Sequence, residues 1–123
     1  MSEQERNKAY LELMIILPMV CIVLERDLRF IQQGQFKLKE PYEEIIMTAQ
    51  RHIAEDLKKV KAYLVKHHLR VEKHRADELF TEYYFYEGAH LVIRRYSNIR
   101  LRNECMRLLK KYFFLCESIL IDL

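Results

Sequence analysis

The stretch Leu13-Met-Ile-Ile-Leu-Pro-Met-Val-Cys-Ile-Val-Leu24 is the longest apolar run of the chain, and it decides the predicted fold. Its side chains cover the whole circumference of a helix, and a helix that is apolar all round is buried all round. A bilayer-spanning helix needs about 20 residues, so this shorter run predicts a central core helix. Pro18 lacks a backbone N–H and crowds the carbonyl of Met14, which predicts a kink or a break there.

The ends of two helices are marked in the first half of the chain. Ser2 and Glu5 have the spacing of a capping box, and Gly34 is a natural stop for the first helix. Pro41 fits the first turn of a second helix. The apolar stripe that follows predicts this helix over about residues 41–67.

The second half of the chain predicts further helices. Asp77 is a plausible N-cap, and Ser97 or Asn98 caps a last helix that runs towards the C-terminus. Between them, helical spacing relates Leu79, Tyr83, Tyr86, His90 and Ile93. Residues 69–75 leave two interpretations open, since their alternation allows either a short strand paired with residues 36–39 or an irregular loop.

Together these patterns predict an all-α protein. We expect one helical domain over residues 1–123, an irregular antiparallel bundle of four to five helices. The first helix would be kinked at Pro18, and a minor two-stranded ribbon is possible. The chain contains only two glycines and two prolines. A β-sandwich or barrel needs many turns rich in these residues, so their scarcity favours long helices joined by short loops.

Charge and cysteine content place the protein in the cytoplasm. Residues 2–8 mix acids and bases, and no small-residue cleavage site follows the apolar run, so neither a signal peptide nor a membrane association is predicted. Cys21, Cys105 and Cys116 each lie in an apolar run, which is typical of buried reduced thiols.

Charge is distributed unevenly along the chain. Residues 1–57 carry seven bases and ten acids, whereas residues 58–123 carry fourteen bases and eight acids, so the second half is basic.

The motifs of common enzymes are missing from the sequence. The chain has no Gly-rich phosphate loop and no GxSxG, HExxH or CxxC pattern. We therefore predict no catalytic residue, no cofactor and no enzyme activity. Cys105 is the best candidate for a nucleophile, because it lies among arginines that could lower the pKa of its thiol.

One pair of residues has the spacing of a metal site. Glu87 and His90 form an ExxH pair, which on a helix would present a carboxylate and an imidazole on one face, as in di-iron bundles. His52 and Asp56 are the candidate further ligands. A second ExxH pair is missing, so an alternative interpretation is that His90 is a hydrogen-bonded histidine and Glu87 a surface carboxylate.

The basic second half offers a candidate nucleic-acid surface. Clustered arginines neutralise phosphates, and the candidates are Arg94, Arg95, Arg100, Arg102 and Arg107. The calculated isoelectric point of about 8.7 lies below the value of about 9 that is typical of nucleic-acid-binding domains. The alternative interpretation is that these arginines lie on charged helix faces that are simply exposed to solvent.

Four consecutive aromatic residues suggest a contact surface. Tyr83, Tyr84, Phe85 and Tyr86 on one helix would cover more than half of its circumference, so they could not all face one core. Tyrosine and phenylalanine are enriched at protein interfaces. Two interpretations stay open: self-association through this block, or burial inside the bundle.

Four stretches of the chain resemble a small uncharacterised family of Bacillus proteins, the YhjD-like proteins. They are Ile16–Val20, Val23–Asp27, Glu78–Tyr83 and Arg100–Asn103. The resemblance spans most of the chain and implies a cytoplasmic protein of a Gram-positive bacterium. It brings no site residues. From the residues themselves we predict a non-enzymatic interaction module that forms a homodimer, with nucleic-acid binding and metal binding as the alternatives.

Overall fold

The computed structural model describes residues 1–115, which form an α+β arrangement of three helices and one three-stranded sheet. The order along the chain is α1 (Glu3–Gln33), α2 (Lys39–Lys66), β1 (Leu69–Ala76), β2 (Phe80–Glu87), β3 (His90–Ser97) and α3 (Asn98–Leu115). Cys116 and the predicted end of the last helix lie outside the described residues.

The helix ends agree with the sequence signals except at Asp77, which caps no helix. Asp77 lies in the turn between β1 and β2, where its Oδ1 accepts from the Leu79 and Phe80 amides at 2.8 Å. The Ser2 hydroxyl accepts a hydrogen bond from the Glu5 amide at 3.2 Å, and α1 ends just before Gly34. The Ser97 hydroxyl accepts from the Arg100 amide at 3.1 Å, at the start of α3. A predicted break at Pro18 is wrong, because α1 runs through this residue without interruption. Leu17 and Val20 beside it are buried, and packing of this kind outweighs one lost hydrogen bond.

The all-α prediction is wrong, because residues 69–97 form an antiparallel sheet in the order β1-β2-β3. Thr81, Tyr83, Phe85 and Tyr96 are buried on the inner face of the sheet, which packs on the helices. β-branched and aromatic residues favour strands. β2 contains five aromatic residues, and β3 contains Val92, Ile93 and Tyr96. Helical spacing over residues 79–93 was therefore a coincidence of apolar positions.

The possible two-stranded ribbon is also corrected. β1 does form a strand, but its partner is β2 and not residues 36–39, with Val71 opposite Phe85. Leu38 immediately precedes α2, and Phe36 lies in the connection between the two long helices. The sheet is a meander in which each strand pairs with its neighbour in the sequence, so short turns suffice to build it.

The turn between β2 and β3 depends on Gly88. Glu87 pairs with His90, so the hairpin loop has two residues, and Gly88 has φ +58°. A positive φ at the first loop position only is the pattern of a type II′ turn, which prefers glycine there. No side chain or backbone atom would meet an added Cβ within 4 Å, so backbone strain alone opposes a larger residue.

We expect Gly88→Ala to lower the free energy of unfolding by about 1–2 kcal/mol, the cost of a positive φ in an L-residue. Gly88→Asn should lose less, because asparagine tolerates this region better. Urea denaturation of the two variants measures the difference. Equal stability of Gly88→Ala and the parent protein would contradict the role of the turn.

Helix α1 also has the length and composition of a membrane-spanning segment. One third of its most apolar 18-residue window is buried inside the structure. Core helices and signal sequences share these properties, so the cytoplasmic location stays a prediction.

Candidate functional site

The outer edge of β3 is the most apolar open edge of the sheet. We call Leu91, Val92 and Ile93 the β3 edge. They are 50%, 43% and 59% exposed, although their side chains point alternately to the two faces of the sheet. β3 pairs only with β2 among the described strands, so one side of its backbone carries unpaired N–H and C=O groups.

The opposite edge of the sheet, formed by β1, is protected against pairing with another strand. The pairing of β1 with β2 shifts in register between Lys73 and Arg75, as in a β-bulge. Arg75 forms an ion pair with Glu82 at 2.9 Å, and Arg70 forms one with Glu72. Bulges and charged side chains are common devices against edge pairing. The two edges therefore differ in kind, and only the β3 edge combines apolar side chains with a regular ladder.

The block of aromatic residues is divided between the two faces of β2. Tyr83 and Phe85 are buried on the inner face, whereas Tyr84 and Tyr86 are half-buried on the outer face. The rings of Tyr84 and His74 stack at 4.4 Å. Internal burial and surface display thus both occur, in strict alternation along the strand.

Arginines cover part of the outer aromatic surface. The Arg70 guanidinium lies 4.1 Å from the Tyr86 ring centroid, and that of Arg95 lies 3.8 Å from the Phe80 centroid. Such cation–π contacts favour the planar guanidinium of arginine. These two aromatic rings are already engaged within the chain.

A cleft lies between α1 and α3, with a volume of about 220 Å³. We call it the α1–α3 cleft. Apolar side chains line it from both helices, and charged side chains line it as well. The apolar group is Ala9, Leu13, Ile15, Ile16, Leu101 and Leu108, and the charged group is Glu12, Arg100, Glu104, Arg107 and Lys111.

Tyr96 joins β3 to the cleft. Its hydroxyl donates a hydrogen bond to Oε2 of Glu12 at 2.8 Å, and the Arg100 guanidinium lies 5.5 Å from its ring centroid. Burial raises the pKa of Tyr96 well above its usual value, and the hydrogen bond to the Glu12 carboxylate adds to the shift. Tyr96 is therefore a neutral donor at physiological pH.

A buried polar pair connects α2 and α3. The Tyr112 hydroxyl donates to Oδ2 of Asp56 at 2.6 Å, and both residues are 1% exposed. Burial raises the pKa of Tyr112, and the Asp56 carboxylate raises it further. A carboxylate in a core requires hydrogen-bond partners, so this contact explains why an aspartate is tolerated here.

Residues 1–116 match the family described as YhjD protein. The chain belongs to the YhjD family. A curated relative is the uncharacterized protein YhjD of Bacillus subtilis (strain 168), which is 32% identical over 111 residues, covering 90% of this chain and 92% of the relative. No solved structure matches the chain. The resemblance stated from the sequence is thereby confirmed, and neither description states an activity.

The candidate metal ligands of this YhjD-family chain do not converge. Glu87 and His90 flank the β2–β3 turn as paired residues instead of sharing a helix face. His52 is half-buried on α2, and Asp56 is bound to Tyr112. Across residues 1–115, no three His, Cys, Asp or Glu side chains are arranged to hold a metal ion. The helical ExxH interpretation was wrong because residues 80–97 form a β-hairpin.

The five candidate arginines of the YhjD chain lie in separate places. Arg94 and Arg95 are neighbours in β3 and point to opposite faces of the sheet. Arg100 and Arg107 line the α1–α3 cleft, while Arg102 is exposed and does not. The five arginines therefore do not share one face, and nucleic-acid binding stays a prediction.

Two cysteines of the YhjD chain fall within the described part. Cys21 and Cys105 are half-buried free thiols, and the Cys105 thiol lies 3.9 Å from the Met19 sulfur. Burial raises the pKa of both thiols. A nucleophilic cysteine needs a lowered pKa, so Cys105 lacks the activation that its neighbouring arginines suggested.

Sequence reasoning missed two features of this YhjD-family fold. The β3 edge was missed because residues 79–93 were assigned to a helix. Gly88, three residues before the apolar run Leu91–Ile93, was a possible signal of a type II′ hairpin turn. The α1–α3 cleft joins Glu12 and Tyr96 across 84 residues, and no local pattern marks a contact of that separation.

Proposed function

We propose that this protein is a non-enzymatic interaction protein that acts as a homodimer, with two copies paired along their β3 edges. The observation that carries the proposal is the exposure of Leu91, Val92 and Ile93 on a strand that, within residues 1–115, pairs on one side only. An exposed apolar edge strand is a template for pairing with another chain, and a second copy supplies an identical strand.

The β3 sequence is complementary to itself in one register. A two-fold axis through Val92 would place Leu91 opposite Ile93 of the second copy, so that apolar side chains meet on the outer face. Arg95 would lie opposite Ala89 of the second copy, and the arginines would avoid one another. A two-fold axis at Ile93 would instead place Leu91 opposite Arg95. Directly opposed residues contribute most to strand pairing, so the first register is favoured.

The contrast with β1 supports β3 as the contact. β1 carries Arg70, Glu72, Lys73, His74 and Arg75 and is interrupted by its bulge. A chain that protects one edge in this way and leaves the other apolar has one edge suited to pairing. The contact is short, so it belongs among the small interfaces of transient complexes. We therefore expect a reversible dimer with a dissociation constant of about 1–100 µM.

Sedimentation velocity of the full chain at about 1–200 µM tests the proposal, because this range spans the expected dissociation constant. We expect a concentration-dependent monomer–dimer equilibrium. Ile93→Lys should weaken dimerisation at least about tenfold, since a lysine on an edge strand opposes pairing. Its side chain lies on the outer face, away from the core, so the fold should persist, as circular dichroism can verify.

Val65→Lys is the matched control. Val65 is 77% exposed on α2, far more than Ile93, but it lies on a helix and not on the sheet. This variant should dimerise as the parent protein does. A parent protein that stays monomeric at the highest concentration would overturn the proposal, as would equal dimerisation of Ile93→Lys and Val65→Lys.

A further inference from the structure

We propose that the α1–α3 cleft binds a small organic monocarboxylate with an apolar body. The ligand's carboxylate would meet Arg100, and its apolar body would lie on the aliphatic side chains between the two helices. This site is separate from the β3 edge and does not depend on dimerisation.

The size and lining of the cleft suit an apolar body of limited length. Leu13 and Ile16 of α1 face Leu101 and Leu108 of α3 across a volume of about 220 Å³. Drug-sized ligands occupy pockets of about 300–1,000 Å³, so the cleft matches a smaller molecule. Apolar walls with a few polar groups are typical of ligand sites.

Arg100 is the cation of the cleft that is placed to meet a ligand. Glu12 accepts the hydrogen bond of the Tyr96 hydroxyl, and Glu104 forms an ion pair with Arg107 at 2.9 Å. Among the described residues, the guanidinium of Arg100 forms no hydrogen bond or ion pair, and its one close contact is the Tyr96 ring. Arginine binds carboxylates through two parallel hydrogen bonds, so Arg100 is suited to this role.

The charge of the cleft favours a monoanion. Glu104 pairs with Arg107 and Glu12 accepts from Tyr96, so the Arg100 guanidinium offers one positive charge to a ligand. A dianionic phosphate would be repelled by the two carboxylates, since like charges at short range are costly. A single carboxylate with a hydrocarbon body matches both the guanidinium of Arg100 and the apolar walls.

Titration of the full chain with octanoate, followed by heteronuclear NMR, tests the inference. We expect saturable binding with chemical-shift changes at residues 96–108 and 9–16. Octanol lacks the charge and acetate lacks the apolar body, so each should bind at least about tenfold more weakly than octanoate. Absence of saturable octanoate binding would overturn the inference, as would equal binding of octanol and octanoate.

Arg100→Gln should weaken octanoate binding at least about tenfold, because it removes the charge-assisted hydrogen bonds. Arg102→Gln is the matched control, since Arg102 is exposed on the same helix outside the cleft. Arg100 is itself exposed, so both variants should keep the fold. Equal affinities of the two variants would contradict the assignment. Ile93→Lys should bind octanoate as the parent protein does, which separates this test from that of the dimer.

Discussion

Tyr112→Ala is expected to lower the free energy of unfolding by about 3–5 kcal/mol, the range for removing a buried aromatic ring. Tyr112 is 1% exposed and lies in the core beside Leu108 of the same helix. The variant also withdraws the donor at 2.6 Å from Asp56, which leaves a buried carboxylate with one partner fewer. Urea denaturation at neutral pH measures the loss.

Tyr112→Phe separates the contribution of the hydroxyl to the free energy of unfolding from that of the ring. It should lose about 1–3 kcal/mol, because a charged hydrogen bond to a buried carboxylate is removed. Tyr84→Phe is the matched control, because Tyr84 is half-buried on the outer face and its contacts are those of its ring. That variant should stay within about 0.5 kcal/mol of the parent protein. If Tyr112→Phe were as stable as Tyr84→Phe, the Asp56–Tyr112 pair would not stabilise the fold.

Alkaline pH should destabilise the protein through Tyr96 and Tyr112. Burial, and then the hydrogen bonds to Glu12 and Asp56, raise the pKa of both phenols in the folded state. Unfolded tyrosines lose their protons near pH 10, whereas the folded protein keeps these two. The unfolded state therefore binds fewer protons above pH 10, and the free energy of unfolding falls as the pH rises.

The expected slope is about 1.4 kcal/mol per pH unit for each tyrosine, or about 2.7 kcal/mol for the two together. Below pH 10 the contribution is fully present and the stability should be flat with respect to these groups. Urea midpoints between about pH 9 and pH 12 measure the slope. Tyr96→Phe and Tyr112→Phe should each reduce it, and an unchanged slope in the double variant would contradict the prediction.

The first half of the fold follows from local signals. Ser2, Gly34 and Pro41 marked helix ends that the structure places within two residues of the predicted positions, because caps and breakers act through the backbone near them. The apolar stripe of α2 was also correctly assigned, since Ile53, Val60 and Leu64 are buried. These helices have one clear periodicity and no competing pattern.

The second half failed because its strands lack the usual polar alternation. β2 places Tyr84 and Tyr86 on the outer face between the buried Tyr83 and Phe85, so apolar residues occupy both faces. A run of this kind contains a three- and four-residue spacing by accident, and periodicity alone cannot separate strand from helix. The β-branched content of β3 and the position of Gly88 were the better indicators.

The candidate sites depended on that error to different degrees. The Glu87–His90 hypothesis required a helix and lost its geometry when residues 80–97 proved to be a hairpin. The arginine hypothesis required one shared face, and the strand separates Arg94 from Arg95. The hypothesis that the aromatic block displays rings on a surface did not require a helix, since two of its four rings lie on the outer face of the sheet.

The meander topology has a consequence for the order of folding. The α1–α2 pair and the β1-β2-β3 sheet each form between neighbours in the sequence, so each closes only short loops, and such contacts form quickly. The contacts of α3 with α1 and the Tyr96–Glu12 bond span most of the chain, the latter across 84 residues. We therefore expect the contacts of α3 to form late, after the transition state, so that variants at Tyr112 accelerate unfolding more than they retard folding.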